Sequence, residues 1–454
     1  MAKQAERWSG GAGFILATIG SAVGLGSVWK FPYEVGSNGG SVFVMFYLIG
    51  LVLIVVPLML AELAIGRRGQ SDARTSIATV AQMHAASPLW SAIGVWGTAI
   101  AMLILSFYSV IGGWALAYAA ETAWLGLPGT QPELAQARFD ALLGSVPRMA
   151  AYHTLFMAMT ALIVWRGIAG GIETACKILM PALVVLLAVL TVYAVIQGDV
   201  AATLRFLFAL DPAKVTARSA LEALGLGFFS IGVGMATMIT YAAYAGRDIN
   251  LRDAAIITVI GDTTISLLSG FAVFPIVFAH DLDPSSGPGL LFVTLPIAFA
   301  AVPFGTVAAV AFFVLLLLAA IASAISMLEM PVALIRRAFG FSRPLATLVS
   351  AGVCWIAGFA SVLSFNLWAS WFPLAAVPSL AQATVFDLLD HLTSNVMLPI
   401  GGLALALFVG WAIPTRFLVE ELRLGQLATA ILRALLRYVA PGAIVATSLA
   451  PIVA

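Results

Sequence analysis

The residues of this 454-residue chain that could do chemistry are few, and they stand in apolar surroundings. Asp262 shares a polar stripe with Thr258, Thr263, Thr264 and Ser266 inside a long apolar run. A carboxylate among hydroxyls and free carbonyls offers the oxygen-rich shell that suits a hard cation. A protonated Asp hydrogen-bonded across helices is the other reading of the same residues. Glu62 and Glu329 also fall within apolar runs; Asp387 and Asp390 open another, and Lys30 closes the first. An ionisable group at such depth is costly without a partner. Lys30 and Asp390 could therefore form an ion pair at one face, or stand as two separately solvated charges. The four histidines (His84, His153, His280 and His391) are scattered over loops and segment ends without metal-ligand spacing. No Gly-x-Ser-x-Gly, His-Glu-x-x-His or phosphate-binding glycine loop occurs, so the chain is not read as an enzyme.

These residues must be positioned by membrane helices. The chain is 62% hydrophobic and 9% charged, whereas a soluble domain is about 25% charged because it clothes its surface in water. Apolar stretches near 12–36, 42–66, 90–118, 148–166, 176–196, 219–244, 254–279, 304–334, 345–363, 384–412 and 427–453 make eleven candidate spans. They leave no room for a soluble domain, so a single domain over 1–454 is expected. The first stretch is long, interrupted by Gly and Pro, and lacks the small-residue cleavage site of a secretory signal. Cys176 and Cys354 fall in or beside apolar runs and give no disulfide framework.

Glycines divide the chain in two. Gly20, Gly24 and Gly26 lie mid-way in the first segment, and Gly232 and Gly234 mid-way in the sixth. Glycine has low helix propensity, so each cluster marks a place where a helix can unwind. Two such clusters five segments apart fit an inverted repeat, each half led by a broken helix. Glycines that serve only close helix packing are the competing explanation. The repeats would cover about 12–196 and 219–412, with an extra helix at about 427–453. Residues 281–303, with Pro284, Pro288 and Pro296 around an apolar core, read as a re-entrant or capping hairpin. With the N-terminus inside, sixteen of the 22 Lys and Arg fall on the cytoplasmic side or its boundary. That predicts a cytoplasmic N-terminus, an outer C-terminus and, for a chain of bacterial character, the cell inner (plasma) membrane. The net charge of +1 implies no nucleic-acid partner.

The run Gly20-Ser21-Ala22-Val23-Gly24-Leu25-Gly26-Ser27-Val28-Trp29-Lys30-Phe31-Pro32 strongly resembles the first helix of the neurotransmitter:sodium symporters, and most closely their bacterial amino-acid transporters. Asn38-Gly39-Gly40, Pro57, Glu62-Leu63-Ala64-Ile65-Gly66-Arg67, Phe228 to Met235 and Ala322 to Glu329 continue the likeness across the whole chain. The resemblance implies an all-α membrane protein of the LeuT-type fold: a 5+5 inverted repeat, helices 1 and 6 unwound, eleven transmembrane helices. It implies ion-coupled symport of a small organic substrate by alternating access. By the same resemblance a substrate carboxylate meets the amides of Leu25 and Gly26 and the hydroxyl of Tyr108. The amine faces carbonyls of Ala22 and Phe229, with Ser230 nearby. The side chain lies among Ile104, Phe229, Gly232, Met235, Ser323, Ser326 and Met327, under an aromatic lid of Phe229 and Tyr108. Gly232 with Met235 resembles members that carry Leu, Met, Tyr, Trp or Phe, as opposed to glycine or GABA, unless Gly232 serves the unwinding alone.

The coupling-ion sites depart from that pattern. The first sodium site would use Ala22, Ser27, Ser230 and Asp262, where relatives often have Asn at positions 27 and 262. The charge of Asp262 could replace the chloride some relatives need; Tyr47, Ser230 and Ser266 match parts of that chloride site, but its Gln is Leu226, so chloride independence is expected. The second sodium site would use Gly20, Val23, Ala319 and Ser323, with Ala322 where a second hydroxyl is usual. The Arg usually three residues before the Trp is Ala5, and its acidic partner after segment eight is Arg337, so both halves of the cytoplasmic salt bridge are expected to be missing. Gly171 and Pro181 match a motif that lets helix five unwind and release the inner ion. The expected ion is sodium, one or two per cycle, with proton coupling through Asp262 or Glu62 as the alternative and no organic cofactor. A ligand sensor that no longer transports is a further reading. The expected assembly is a monomer or weak homodimer in a lipid bilayer.

Overall fold

The computed structural model describes residues 6–285 and 289–453, and every regular element among them is helical. Eleven segments follow the expected order. They are α1, bent by 49° between Gly11–Ala22 (α1a) and Gly26–Ser37 (α1b), then α2 Ser41–Gly69, α3 Pro88–Leu125, α4 Val146–Trp165 and α5 Ile168–Gln197. The second half has α6 in two pieces, Ala217–Ile231 (α6a) and Thr237–Ala243 (α6b). It continues with α7 Leu251–Ala279, α8 Gly305–Phe339, α9 Arg343–Ser364 and α10 Val385–Ala412, followed by α11 Gln426–Ser448. Among the described residues eight continuous helices are long and apolar enough to cross a bilayer, and the bent α1 makes a ninth. The remaining two are weaker for visible reasons. Helix α4 carries Tyr152, His153, Thr154 and Thr160 along its length, and neither piece of α6 reaches the ~20 residues that span a bilayer.

Proline shapes these helices repeatedly. Wide turns at Gly26–Lys30, Leu51–Val55, Leu290–Thr294, Leu392–Met397 and Leu435–Val439 each end two residues before a proline, at 32, 57, 296, 399 and 441. The missing N–H and the clash of the ring with the preceding turn open the ladder there without ending the helix. The core runs along α3, which packs on α8, α9 and α4; α7 packs on α5 and α1a, and α6b on α2. The expected hairpin at 281–303 contains one short apolar helix, Leu290–Ala300, with Phe292 buried and stacked on Phe139 at 5.6 Å. Pro288 lies outside the described residues. His153, expected in a loop or at a span end, instead sits inside α4, fully buried and stacked on Trp355. Its ring fits there because Gly358 presents no side chain; a Cβ on that residue would approach the imidazole to 2.6 Å.

Candidate functional site

The two breaks face one another at mid-bundle. Helix α1a ends at Val23, whose extended backbone (φ −75°, ψ 101°) leaves the helix before α1b begins. Gly24 is required by proximity. A Cβ there would lie 2.7 Å from both the Tyr108 hydroxyl and the Ser323 Cβ. Gly232 is required by conformation. It ends α6a with φ +73°, its N–H bonded to the Phe228 carbonyl. The last-turn carbonyls beyond Phe228, that of Phe229 included, lack the amides of a next turn. A small cavity lies between the breaks, lined by Ala22, Gly24, Gly26, Ile104, Tyr108, Phe229, Ser230, Met235, Ser323 and Met327. The Leu25 N–H donates to the Tyr108 hydroxyl at 2.9 Å, so phenol and half-helix amide point at one spot. Such an amide end carries partial positive charge and suits a carboxylate. Of the expected substrate-contact residues, Leu25, Gly232 and Ser326 are not in the lining. Leu25 is wholly buried with its amide on Tyr108, and the Ser326 hydroxyl donates to the Ser323 carbonyl at 2.7 Å. The methyl of Met235 fills the space beside Gly232, 2.6 Å from where a Cβ would stand.

Next to the cavity, Asp262 gathers hydroxyls. Ser27 donates to it at 2.5 Å, Ser230 at 2.9 Å and Tyr47 at 3.1 Å, while Ser27 and Ser230 lie 3.0 Å apart. All four are buried. Ser269 holds the Ser27 carbonyl at 2.8 Å, and Thr18 bonds Thr258 at 2.8 Å, so α7 grips α1 on both sides of its break. Ser266, expected to take part, has a buried hydroxyl with no hydrogen-bond partner among the described residues. On the other flank Ser323 donates to the Ser21 carbonyl at 3.2 Å, close to buried Gly20, Val23 and Ala319. Above the cavity Lys30 pairs with Asp390 at 3.1 Å and stands 4.8 Å over the Phe229 ring. The pair weighed in the sequence is thus formed, and the same ammonium touches the aromatic wall of the cavity. Asp387 closes a capping box with Thr384 at the start of α10.

This arrangement, two broken helices facing each other around a small, largely apolar pocket, has close parallels. The Sodium:neurotransmitter symporter family model matches residues 5–136 and 141–453. The chain belongs to that family. It is 36% identical over 424 residues to an uncharacterized sodium-dependent transporter of Bacillus subtilis, covering 92% of this chain and 91% of the relative. It is 28% identical to the sodium-dependent dopamine transporter of Bos taurus, over 90% of this chain and 63% of that one. The crystal structure of MhsT in complex with L-phenylalanine superposes with a TM-score of 0.90 at 38% identity, covering 98% of this chain and 99% of MhsT. The chain is therefore a multi-pass, sodium-dependent symporter with the LeuT-type fold, a transporter of a small molecule and not an enzyme.

Two features of this symporter were not visible in the sequence. Glu62, considered as a coupling carboxylate, is fully buried and accepts the amides of Gly234 at 2.8 Å and Met238 at 3.1 Å. It caps the unwound end of α6b, a structural task that an acid at a helix N-terminus performs well. The expectation of a missing cytoplasmic salt bridge is also corrected. Arg337 has no partner among the described residues and Ala5 lies outside them, but Glu6 pairs with Arg336 at 3.0 Å and Arg343 at 2.5 Å. The polarity is reversed, with the acid on the N-terminal segment. The signal that could have found it was Glu6 itself, adjacent to the empty Arg position. Lys3 lies outside the described residues. Gly171 and Pro181 lie in wound helix. Gly171 sits in the wide first turn of α5, and Pro181 is inside the helix, where it deprives the Lys177 carbonyl of its amide. Pro181 thus leaves a weakened place without unwinding it.

Proposed function

We propose that this symporter carries a bulky hydrophobic L-amino acid and needs no chloride. The observation that carries the reading is the bond from the Leu25 N–H, at the start of the second half-helix, to the hydroxyl of Tyr108, which lines the cavity. A carboxylate arriving there replaces their mutual bond with two charge-assisted ones, which are about twice as strong as neutral ones. The rest of the lining includes Ile104, Phe229, Met235 and Met327, which are apolar and adaptable, and a Met thioether can move aside for a large side chain. The similar MhsT was crystallised with L-phenylalanine, which supports the same class here. Sodium would sit between Ser27, Ser230, the Ala22 carbonyl and Asp262, whose charge stands in for chloride. A second, poorer cage would use Gly20, Val23, Ala319 and Ser323. Lys30, Asp390, Tyr108 and Phe229 would close the outer side, and the Gly171/Pro181 segment would open the inner one. The distribution of Lys and Arg supports a cytoplasmic N-terminus in the cell inner membrane.

The test is uptake of labelled Leu, Met, Trp and Phe into proteoliposomes under a sodium gradient, with chloride replaced by gluconate. Sodium-driven uptake of these substrates, unchanged by gluconate, supports the reading. Preference for glycine or GABA, or loss of uptake without chloride, overturns it. Binding without flux identifies a sensor.

A further inference from the structure

At the end of α10 remote from Asp390 stands a group of arginines that no acid answers. Helix α10 ends at Ala412, a short helix Thr415–Leu422 follows, and α11 begins at Gln426. Gly410 lets α10 and α11 approach closely, since a Cβ there would lie 3.1 Å from both the Leu436 carbonyl and the Arg437 Cγ. The Arg437 stem folds over α10, where its Nε donates to the Gly410 carbonyl at 2.5 Å and its guanidinium lies 5.0 Å from the centre of the Trp411 ring. One turn earlier on α11, Arg433 donates to the Thr415 hydroxyl, and Arg416 is the next residue after that threonine. None of the three is in an ion pair among the described residues. Glu420 and Glu421, the acids of this stretch, are engaged by Arg67 and Arg68. Arg416 and Arg433 line a pocket of about 580 Å³ together with Met83, His84, Trp411 and Pro414 among others. Both ring nitrogens of His84 are buried without a hydrogen-bond partner among the described residues. An imidazole has a donor and an acceptor, or two donors, to place, so two orphaned nitrogens in the lining mark a missing polar partner.

The surroundings of the pocket are apolar. The same stretch of α10 and α11 exposes Trp411, Leu427, Ile431 and Tyr438, and the Tyr438 ring meets Trp411 edge-on at 5.7 Å. Exposed Trp and Tyr at the end of a membrane helix belong at the level of the lipid headgroups. A cation kept partly out of water without a counter-charge is costly, and guanidiniums gathered at one spot are answered together by an anion with several oxygens. We propose that this pocket binds the phosphodiester headgroup of an anionic phospholipid. Arg416, Arg433 and the unbonded nitrogens of Arg437 meet the phosphate oxygens, and His84 meets a headgroup hydroxyl. The depth of the site argues for a lipid as the source of that phosphate, because a lipid reaches it laterally while its acyl chains stay beside Leu427 and Ile431.

The experiment measures lipid bound to the full chain in detergent by native mass spectrometry, titrating phosphatidylglycerol against phosphatidylcholine with the same acyl chains. The parent is expected to prefer phosphatidylglycerol. One basic residue at a membrane surface changes affinity about fivefold, so Arg416→Gln and Arg433→Gln should each weaken phosphatidylglycerol binding about fivefold and together about 25-fold. Phosphatidylcholine binding should not change. Arg252→Gln, which removes an arginine paired with Asp253 elsewhere on the surface, should alter neither lipid. Arg416 is exposed, so should the Arg433 variant fail to fold, Arg416→Gln carries the test alone. An excess of inorganic phosphate should leave the bound lipid in place. Equal affinity of the parent for the two lipids, or phosphatidylglycerol affinity unchanged in the variants, overturns the site. An equal loss in Arg252→Gln makes the effect one of net charge and overturns it too. Full displacement by inorganic phosphate shows a site for free anions and overturns the lipid assignment.

Discussion

Asp262→Asn isolates the charge that the proposed first sodium site relies on. Asp262 lies 2.5 Å from Ser27 Oγ and 2.9 Å from Ser230 Oγ, two of the proposed ligands, so a cation between them stands within about 4 Å of the carboxylate. At an effective dielectric of about 20, a full charge pair at that distance is worth about 4 kcal/mol. Asn keeps a carbonyl oxygen for the cation, and the site relaxes around the lost charge. Half of the Coulomb figure, about 2 kcal/mol, is then a fair expectation, and it corresponds to roughly a 30-fold rise in the sodium concentration for half-maximal uptake. The assay is sodium titration of labelled phenylalanine uptake in proteoliposomes, with chloride and with gluconate. Chloride should recover part of the loss in the variant and change nothing in the parent. A half-maximal sodium concentration within twofold of the parent, with no chloride response, refutes the reasoning about charge replacement.

Three further outcomes follow from the same geometry. Tyr108→Phe leaves the Leu25 N–H buried without its partner and removes a carboxylate donor. Affinity should fall by about 1–3 kcal/mol, tenfold or more, in equilibrium binding of phenylalanine, with sodium affinity less affected. Ala322→Ser restores a hydroxyl beside Ser323 in a buried position 3.6 Å from the place of a Gly20 Cβ, and should lower the sodium requirement severalfold in the same titration. Glu62→Gln presents one acceptor where two amides, of Gly234 and Met238, now find two. The melting temperature in detergent should fall, consistent with a loss of about 1–3 kcal/mol, and sodium and proton dependence of uptake should keep their parent form.

The fold was largely legible because a membrane helix writes its length and apolarity into consecutive residues. The eleven expected segments all exist, and the two glycine clusters mark the two breaks. Segment five was the poorest boundary. It begins at Ile168, eight residues before the expected start, because the structure winds the glycine-containing stretch Ile168–Glu173, which precedes the continuous apolar run, into a wide turn. The pairing of distant charges was only partly legible. Lys30 with Asp390 could be proposed since both ended segments on the same face. For the Glu6 pairs the sequence offers the acid beside the empty Arg position but not the choice of Arg336 and Arg343, which depends on how the first residues cross the helices. The role of Glu62 was hidden for a similar reason. A carboxylate that caps a helix start in another segment looks, in one dimension, the same as one that moves a proton.

The grip of α7 on α1 has a mechanical consequence. Its two attachment points, Thr258 and Ser269, are eleven residues apart, about 16 Å along the helix axis. They bracket the hinge, so α1 cannot pivot as a whole without shearing one of them. They also differ in strength of purchase. One joins the Ser269 hydroxyl, which the Ser266 carbonyl also meets at 2.7 Å, to a backbone carbonyl that has no rotamer of its own, and the other joins two hydroxyls, both on rotatable side chains. Strain applied to α1 from either end should therefore be relieved at the Thr18–Thr258 stitch first. That would make α7 a ratchet-like mount, letting Gly11–Ala22 swing while Gly26–Ser37, and the cation shell proposed around Ser27, stay in register.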